Sequence, residues 1–520
     1  MTLIRRLALI LCLAGFASVA RADQQDLTAA ARGVVRVAIV ATDGNQSYFV
    51  GHGTGFAVAP DKILTNAHVV ELVREERNLV IGVVPSEGKK SYGGKIVAFS
   101  PGNDLALIQL DEGALPVSTF YAGAPQDGQH VTAIGYPGTV DRAQGLDLQQ
   151  MVQPLIPVKT SGNISSGRSS KGYDTILHTA PLAAGNSGGP LVDDCGRVLG
   201  VNSFGSVSDG GNDAEFGFAV SNREIANFLR QAGVQFLRTT AECKSIAQIT
   251  DEDARRTAEE AAQKDAAARA RDEAHDAAMA KARESAEQQV ISGRENAMAI
   301  AAVLLALAVL GIGAAGLNYN QGKQKPAMWF GIGGGALLLG ALLTFLLRPS
   351  FSSIDERVVM PDDGQVTSAS TYAPLGDNIC LIDTARSRIT VSDMNDVAIN
   401  WAAGGCVNGK TQFIPTRGPA GEIWSRILAP AEQAVLSVNS FDPQTGTYRS
   451  ERYLADAETL ERAREVRAKS DSGQCSTDPQ AIEKIKRMQD DLRAILPPQP
   501  NERLVYHCQK GAASAAKPGN

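Results

Sequence analysis

The chain has 520 residues, enough for about three domains. Hydrophobic residues make up 44% and charged residues 20%, which excludes wholesale disorder and collagen-like repeats. The net charge is −6 and no basic block interrupts it, so nucleic acid is not an expected partner.

Residues 1–22 read as a removable signal peptide. Arg5 and Arg6 open the segment, Leu7–Gly15 is a short apolar core, and Ala20-Arg21-Ala22 is a small-residue exit. Cleavage removes three arginines and no acid, leaving a mature charge of −9. Cys12 departs with it. Cys195, Cys243, Cys380, Cys406, Cys475 and Cys508 remain, an even set in an exported chain, so disulfides are the default. Pairing on each side of the apolar segments predicts Cys195–Cys243. Beyond them three pairings are open, and short-loop closure favours Cys380–Cys406 with Cys475–Cys508. The six histidines are scattered without ligand spacing, so no metal and no cofactor is expected.

Residues 23–242 carry short β-branched runs at Val34–Val40, Lys62–Thr65, Leu105–Leu110, Val131–Ile134 and Val198–Val201. Gly, Asn and Asp turns separate them, the pattern of an all-β unit. A helix closes the unit: Ser221 and Glu224 are spaced as a capping box, and Ile225, Phe228 and Leu229 supply its apolar face. Residues 243–296 then read as a helical stalk, because Asp251–Val290 is rich in Ala and charge and lacks Pro and Gly. Large apolar residues are sparse there, so a coiled-coil seam is weak and a solvated helix is the favoured reading over a stable coiled coil.

Two uncharged segments follow, Ala297–Leu317 and Met328–Leu347. Each is long enough to cross a hydrocarbon core of about 30 Å as a transmembrane helix. The loop between them, 318–327, holds Lys323 and Lys325, which places it in the cytoplasm. Gly311, Gly313 and Gly316, with Gly331 and Gly335 at GxxxG spacing, predict close helix packing. Residues 348–520 return to the exported side as a small α+β domain of unknown function. A hairpin is expected from Ala434–Ser440 and Thr447–Tyr453, then helices over Asp456–Ala468 and from Pro479, capped by Asp478, to Ile495. No motif in this domain carries chemistry.

Three stretches of the β unit do. Thr65-Asn66-Ala67-His68 follows the strand-like Gly53-Thr54-Gly55-Phe56-Ala57-Val58. Asn103-Asp104-Leu105-Ala106-Leu107-Ile108 comes next, then Gly185-Asn186-Ser187-Gly188-Gly189-Pro190. His, Asp and Ser in this chain order form one of the known arrangements of a nucleophilic triad. A serine hydroxyl needs a base within hydrogen-bond reach, and the base needs a carboxylate to fix its tautomer.

With Ala133-Ile134-Gly135-Tyr136-Pro137 and Gly217-Phe218-Ala219-Val220, these motifs resemble the trypsin-like (chymotrypsin-fold) serine proteases, most closely the HtrA type. The resemblance covers roughly residues 34–235. It implies a double β-barrel with His68 as base, Asp104 as orienting carboxylate and Ser187 as nucleophile. The backbone N–H groups of Gly185 and Ser187 would form the oxyanion hole. Leu182, Val201, Asn202 and Ser203 would line the specificity pocket, which has no Asp and so suits a small or medium apolar side chain. Neutral Asn186 argues against zymogen activation by N-terminal insertion. Thr179 stands where the HtrA type usually has an acid, and the downstream PDZ domain is missing.

The expected architecture is therefore multidomain: a double-barrel protease domain, a long Ala-rich helix, a two-helix transmembrane hairpin and a C-terminal domain. The expected function is a membrane-tethered serine endopeptidase of a bacterial inner membrane, with both exported domains in the periplasm. Protein or peptide substrates and membrane lipid are the partners, and a homo-oligomer is open. The competing reading is a pseudoprotease scaffold that binds peptides without cutting them.

Overall fold

The structure is a computed structural model that describes residues 24–43, 47–170, 172–206, 216–358, 375–392, 395–418, 421–430, 434–443, 445–470 and 475–511. The expected signal peptide lies outside the described residues. The chain divides into two compact units, one made of residues up to Asp253 together with those from Tyr372 on, the other Ala254–Thr371.

In the first unit, helix α1 (Gln24–Ala31) leads into a barrel. Its strands are β1 (Val34–Thr42), β2 (Ser47–Ala59), β3 (Lys62–Thr65), β4 (Leu79–Pro85), β5 (Tyr92–Ser100) and β6 (Leu105–Leu110). They close in the order β1-β2-β3-β6-β5-β4, with α2 (Ala67–Glu75) crossing between β3 and β4. Val35, Val37, Ala57, Ile63, Val83 and Ile108 fill the interior. These are mostly the β-branched residues whose alternation marks a half-buried strand.

A second sheet follows: β7 (Phe120–Tyr121), β8 (His130–Gly135), β9 (Val158–Ser170), β10 (Tyr173–His178), β11 (Pro190–Val192), β12 (Val198–Gly205), β13 (Gly217–Ser221) and β14 (Arg238–Thr239). Six of these strands close a ring, β11-β8-β9-β10-β13-β12, through the β11–β12 pairing. Two short helices, α3 (Gly138–Gln144) and α4 (Leu148–Met151), interrupt the path from β8 to β9. A shared core joins the barrels, with Phe56, Leu64 and Leu107 from the first against Ile134, Val201 and Val220 from the second. The motifs face each other across this seam.

Helix α5 (Asn222–Gln231) buries Ile225, Phe228 and Leu229 as its periodicity predicts. The expected capping box does not form. Ser221 Oγ donates to Asp174 Oδ2 at 3.2 Å, and Glu224 accepts from the Asp174 N–H at 3.3 Å. A carboxylate and an amide brought in by β10 take both capping groups.

The C-terminal part of this unit is a nine-stranded antiparallel sheet. Its strands are β15 (Gly376–Ile382), β16 (Val397–Ala402), β17 (Cys406–Val407), β18 (Thr411–Gln412), β19 (Ile414–Gly418), β20 (Gly421–Leu428), β21 (Leu436–Asp442), β22 (Thr447–Tyr453) and β23 (Glu502–Lys510). The order is β18-β17-β16-β15-β23-β22-β21-β20-β19, so the last strand enters the middle. Helices α8 (Ala457–Ser470) and α9 (Pro479–Ile495) cover one face through Leu460, Ala463, Ile485, Met488 and Leu492.

Cys195 is joined to Cys243. The favoured sequential pairing of the other four is overturned: the bridges are Cys380–Cys508 and Cys406–Cys475. Strand register is the reason, since β15 and β23 are sheet neighbours with Cys380 directly opposite Cys508. The C-terminal domain packs on the first barrel's leading helix. Arg388 forms a buried ion pair with Asp26, and Asn501 Nδ2 donates to Asp26 Oδ1 at 2.9 Å.

The second unit holds most of α6 (Ile246–Asn320), and α7 (Gln324–Leu346). Both are long and apolar enough to cross a membrane, and they expose Val309, Leu310, Trp329 and Leu346. They come close at Gly311 and Gly334, where a Cβ on Gly311 would lie 3.3 Å from Gly334 Cα. The expected Gly313, Gly316 and Gly335 face open space instead.

Candidate active site

His68 is the second residue of α2, and Asp104 ends the turn before β6. The helix start leaves unpaired N–H groups, a natural anchor for a carboxylate. Asp104 Oδ1 accepts from the His68 N–H at 3.1 Å, and both carboxylate oxygens lie 3.0 Å from His68 Nδ1. Ser203 Oγ donates to Asp104 Oδ2. Asp104 takes a left-handed φ of 54°, which a short polar side chain tolerates, and Asn66 Nδ2 holds its carbonyl at 2.8 Å. Burial pushes the Asp104 carboxyl up, but the hydrogen bonds and charge of His68 and the bond from Ser203 outweigh it. The net pKa is below the usual carboxylate value. Asp104 is thus an anion at neutral pH, an acceptor that places the shared proton on His68 Nδ1.

Ser187 sits on the turn before β11. Gly185 and Gly188 have φ of 102° and 89°, a region open to glycine. A Cβ on Gly188 would come within 2.0 Å of Thr54 O. The turn is strapped to the first barrel: the Thr54 N–H donates to Ser187 O at 2.8 Å, and Thr54 Oγ1 donates to Gly185 O at 2.6 Å. Ser187 Oγ donates to Ser203 O at 2.9 Å. Ser203 therefore touches both ends of the constellation, its hydroxyl on Asp104 and its carbonyl on Ser187. Among the described residues, no acceptor takes the N–H of Gly185 or of Ser187.

Residues 53–201 match the family model described as the trypsin-like peptidase domain. The chain contains a trypsin-like peptidase domain. Serine protease Rv3671c of Mycobacterium tuberculosis is 31% identical over 194 residues, 37% of this chain and 45% of that protein. Periplasmic serine endoprotease DegP of Escherichia coli is 32% identical over 197 residues, 36% of this chain and 37% of that protein. This chain thus spans less than half the length of either relative. The solved active form of the Rv3671c protease aligns at 26% identity and a TM-score of 0.33, covering 43% of this chain and 91% of that one.

The four residues expected to line the specificity pocket of this trypsin-like domain divide. Leu182 is half-buried beside Gly217, where a Cβ would meet its Cδ1 at 2.9 Å. Val201 instead belongs to the shared core, fully buried with Val192 and Val220. Asn202 is buried, with Nδ2 donating to Pro190 O at 3.1 Å, and Ser203 serves Asp104. Buried His178, opposite Gly217 in register, was not anticipated. Nor was Thr54, although its place between two glycines ahead of Thr65-Asn66-Ala67-His68 hinted at a close backbone approach. Asn186 is buried with Oδ1 against Gly135.

Proposed function

We propose that the chain is a serine endopeptidase of the cell envelope that cleaves proteins or peptides through an acyl-enzyme. His68 is the general base, Asp104 the orienting carboxylate and Ser187 the nucleophile. One observation carries this reading: an ionised, half-buried Asp104 grips His68 Nδ1 at 3.0 Å and is joined through Ser203 to the Ser187 hydroxyl.

For reaction, rotation about the Ser187 side chain moves Oγ from Ser203 O to His68 Nε2. His68 then takes the proton as Oγ attacks the substrate carbonyl, and returns it to the leaving amine. The unpaired N–H groups of Gly185 and Ser187 receive the developing oxyanion. Each such donor is worth ~10²–10³ in rate. Leu182, with no carboxylate among the expected lining residues Val201, Asn202 and Ser203, favours a small or medium apolar side chain before the scissile bond. The apolar segments in α6 and in α7 support tethering in a bacterial inner membrane, with Lys323 cytoplasmic and the peptidase and C-terminal domains in the periplasm.

Fluorophosphonate labelling of the full chain tests the proposal. Wild type labels at Ser187 and cleaves casein, while Ser187→Ala does neither and keeps its melting temperature. Wild-type protein that stays unlabelled, or Ser187→Ala protein with full activity, would overturn it and leave the peptide-binding scaffold.

A further inference from the structure

We propose that a buried Arg36–Asp141 ion pair is a latch that holds the oxyanion hole open. Arg36, Asp141 and Gly138 act as positioning residues that touch no substrate. The inference rests on the preceding reading of Gly185 as an oxyanion donor.

A trans peptide is planar, so its C=O and N–H point in opposite directions. The Gly185 N–H faces the substrate only while the Ala184 carbonyl is held away from it. The Gly138 N–H supplies that hold, donating to Ala184 O at 2.8 Å. Gly138 is the first residue of α3, whose N–H groups lack partners within the helix. The direction of one catalytic N–H therefore depends on where α3 sits.

Arg36 fixes α3. Its guanidinium, on β1 and only 1% exposed, donates from one nitrogen to Asp141 Oδ1 at 2.9 Å. The other terminal nitrogen donates to Met151 O at 2.8 Å, and the group lies 4.8 Å from the Tyr136 ring centre. One planar cation thus grips residues 136, 141 and 151 of the segment between β8 and β9. His52 adds a clasp beside it, with Nε2 donating to Tyr136 O at 2.9 Å and 3.4 Å from Asp141 Oδ2. Gly185 fits beneath this cluster only because it lacks a Cβ, which would strike Tyr136 O at 2.3 Å and His52 Nε2 at 2.7 Å.

Two further features argue for positioning over bulk stability. Desolvation makes a buried ion pair a weak source of net stability, and apolar replacements are often neutral. In addition, a cavity of about 330 Å³ adjoins the latch, lined by His52, Gly138, Asp141, Ala184 and Gly185 among others. An unpinned α3 has room to shift, and the Ala184–Gly185 peptide has room to turn with it.

The test uses the full chain in detergent and three variants. Arg36→Met and Asp141→Asn loosen the latch. Gly138→Pro deletes the N–H itself, and proline suits a first helical position that follows an extended residue such as Pro137. Gly138→Ala, which keeps the N–H, is its comparison. Each variant is measured for kcat, KM, melting temperature and affinity for a peptide boronic acid, whose tetrahedral adduct needs the hole.

Arg36→Met, Asp141→Asn and Gly138→Pro are expected to lower kcat about 10–100-fold, with KM within about threefold, because the loss of one oxyanion donor costs up to ~10²–10³. Boronate affinity falls by the same factor as kcat/KM, and Gly138→Ala loses far less than Gly138→Pro. Unchanged kcat and boronate affinity in the folded variants would overturn the latch, as would losses that only track the folded fraction. Equal losses for Gly138→Ala and Gly138→Pro would overturn it too. A wild type that neither labels nor cleaves removes the peptidase reading and the latch together, whereas an active wild type with indifferent variants removes the latch alone.

Discussion

His178 makes the stability of the second barrel acid-sensitive. Its ring is fully buried at the end of β10, in space left by the missing side chain of Gly217. Among the described residues neither ring nitrogen meets a partner at hydrogen-bonding geometry. Burial lowers its pKa from 6.5 to about 4, and nearby Asn202 offsets this only in part. Between those two values the unfolded chain binds a proton that the folded chain refuses. Stability is therefore fully present above pH 6.5 and falls as the pH drops towards 4. At ~1.36 kcal/mol per pH unit the loss is about 3 kcal/mol. The three tryptophans, Trp329, Trp401 and Trp424, all lie outside the barrels, so tryptophan fluorescence would report other regions. Urea unfolding read by pulse proteolysis of the peptidase domain is the suitable assay, comparing wild type with His178→Leu from pH 7 to pH 4. The gap between the two proteins should shift by about 3 kcal/mol in favour of the variant at the acid end. Parallel profiles would refute the reasoning.

Asp104→Asn should leave the fold intact and lower kcat by about 10⁴, because the imidazole loses the partner that fixes its tautomer; a loss under tenfold in steady-state peptide cleavage would count against the assigned role. Gly188→Ala should abolish fluorophosphonate labelling, since its Cβ would come within 2.0 Å of Thr54 O and the left-handed φ of 89° is strained for alanine. Wild-type labelling of that variant would show that the turn relaxes without moving Ser187.

What was legible in the sequence was local. The all-β character of the peptidase unit follows from β-branched runs and turns, the double barrel followed from the family resemblance that the motifs carry, and His68, Asp104 and Ser187 each stand inside a motif that sets its own backbone. Contacts between distant segments were not legible. Short-loop closure misassigned the C-terminal bridges because loop entropy grows slowly: a fivefold longer loop costs only about 1.4 kcal/mol. The register that sets Cys380 opposite Cys508 outweighs that difference. The 221–224 box read as a cap because its competitor, Asp174, is 47 residues away along the chain. Arg36 and Asp141 are 105 residues apart and carried no signal at either end. The lining of the specificity pocket carried no comparable local signal, because a strand presents alternate residues to opposite faces and the motif does not say which face of 201–203 meets substrate.

The Cys380–Cys508 bridge joins the first and last strands of the C-terminal sheet, and Cys406–Cys475 is nested inside its span. A backbone cut anywhere from 381 to 507 therefore leaves two pieces still covalently joined, flanked by the same strands. Such a molecule keeps its full mass until it is reduced, so nicked copies accumulate unseen on non-reducing gels. The sheet is in effect a closed loop with its ends riveted together, and a cut in one of its connecting loops does not detach it from the apolar helix that precedes it.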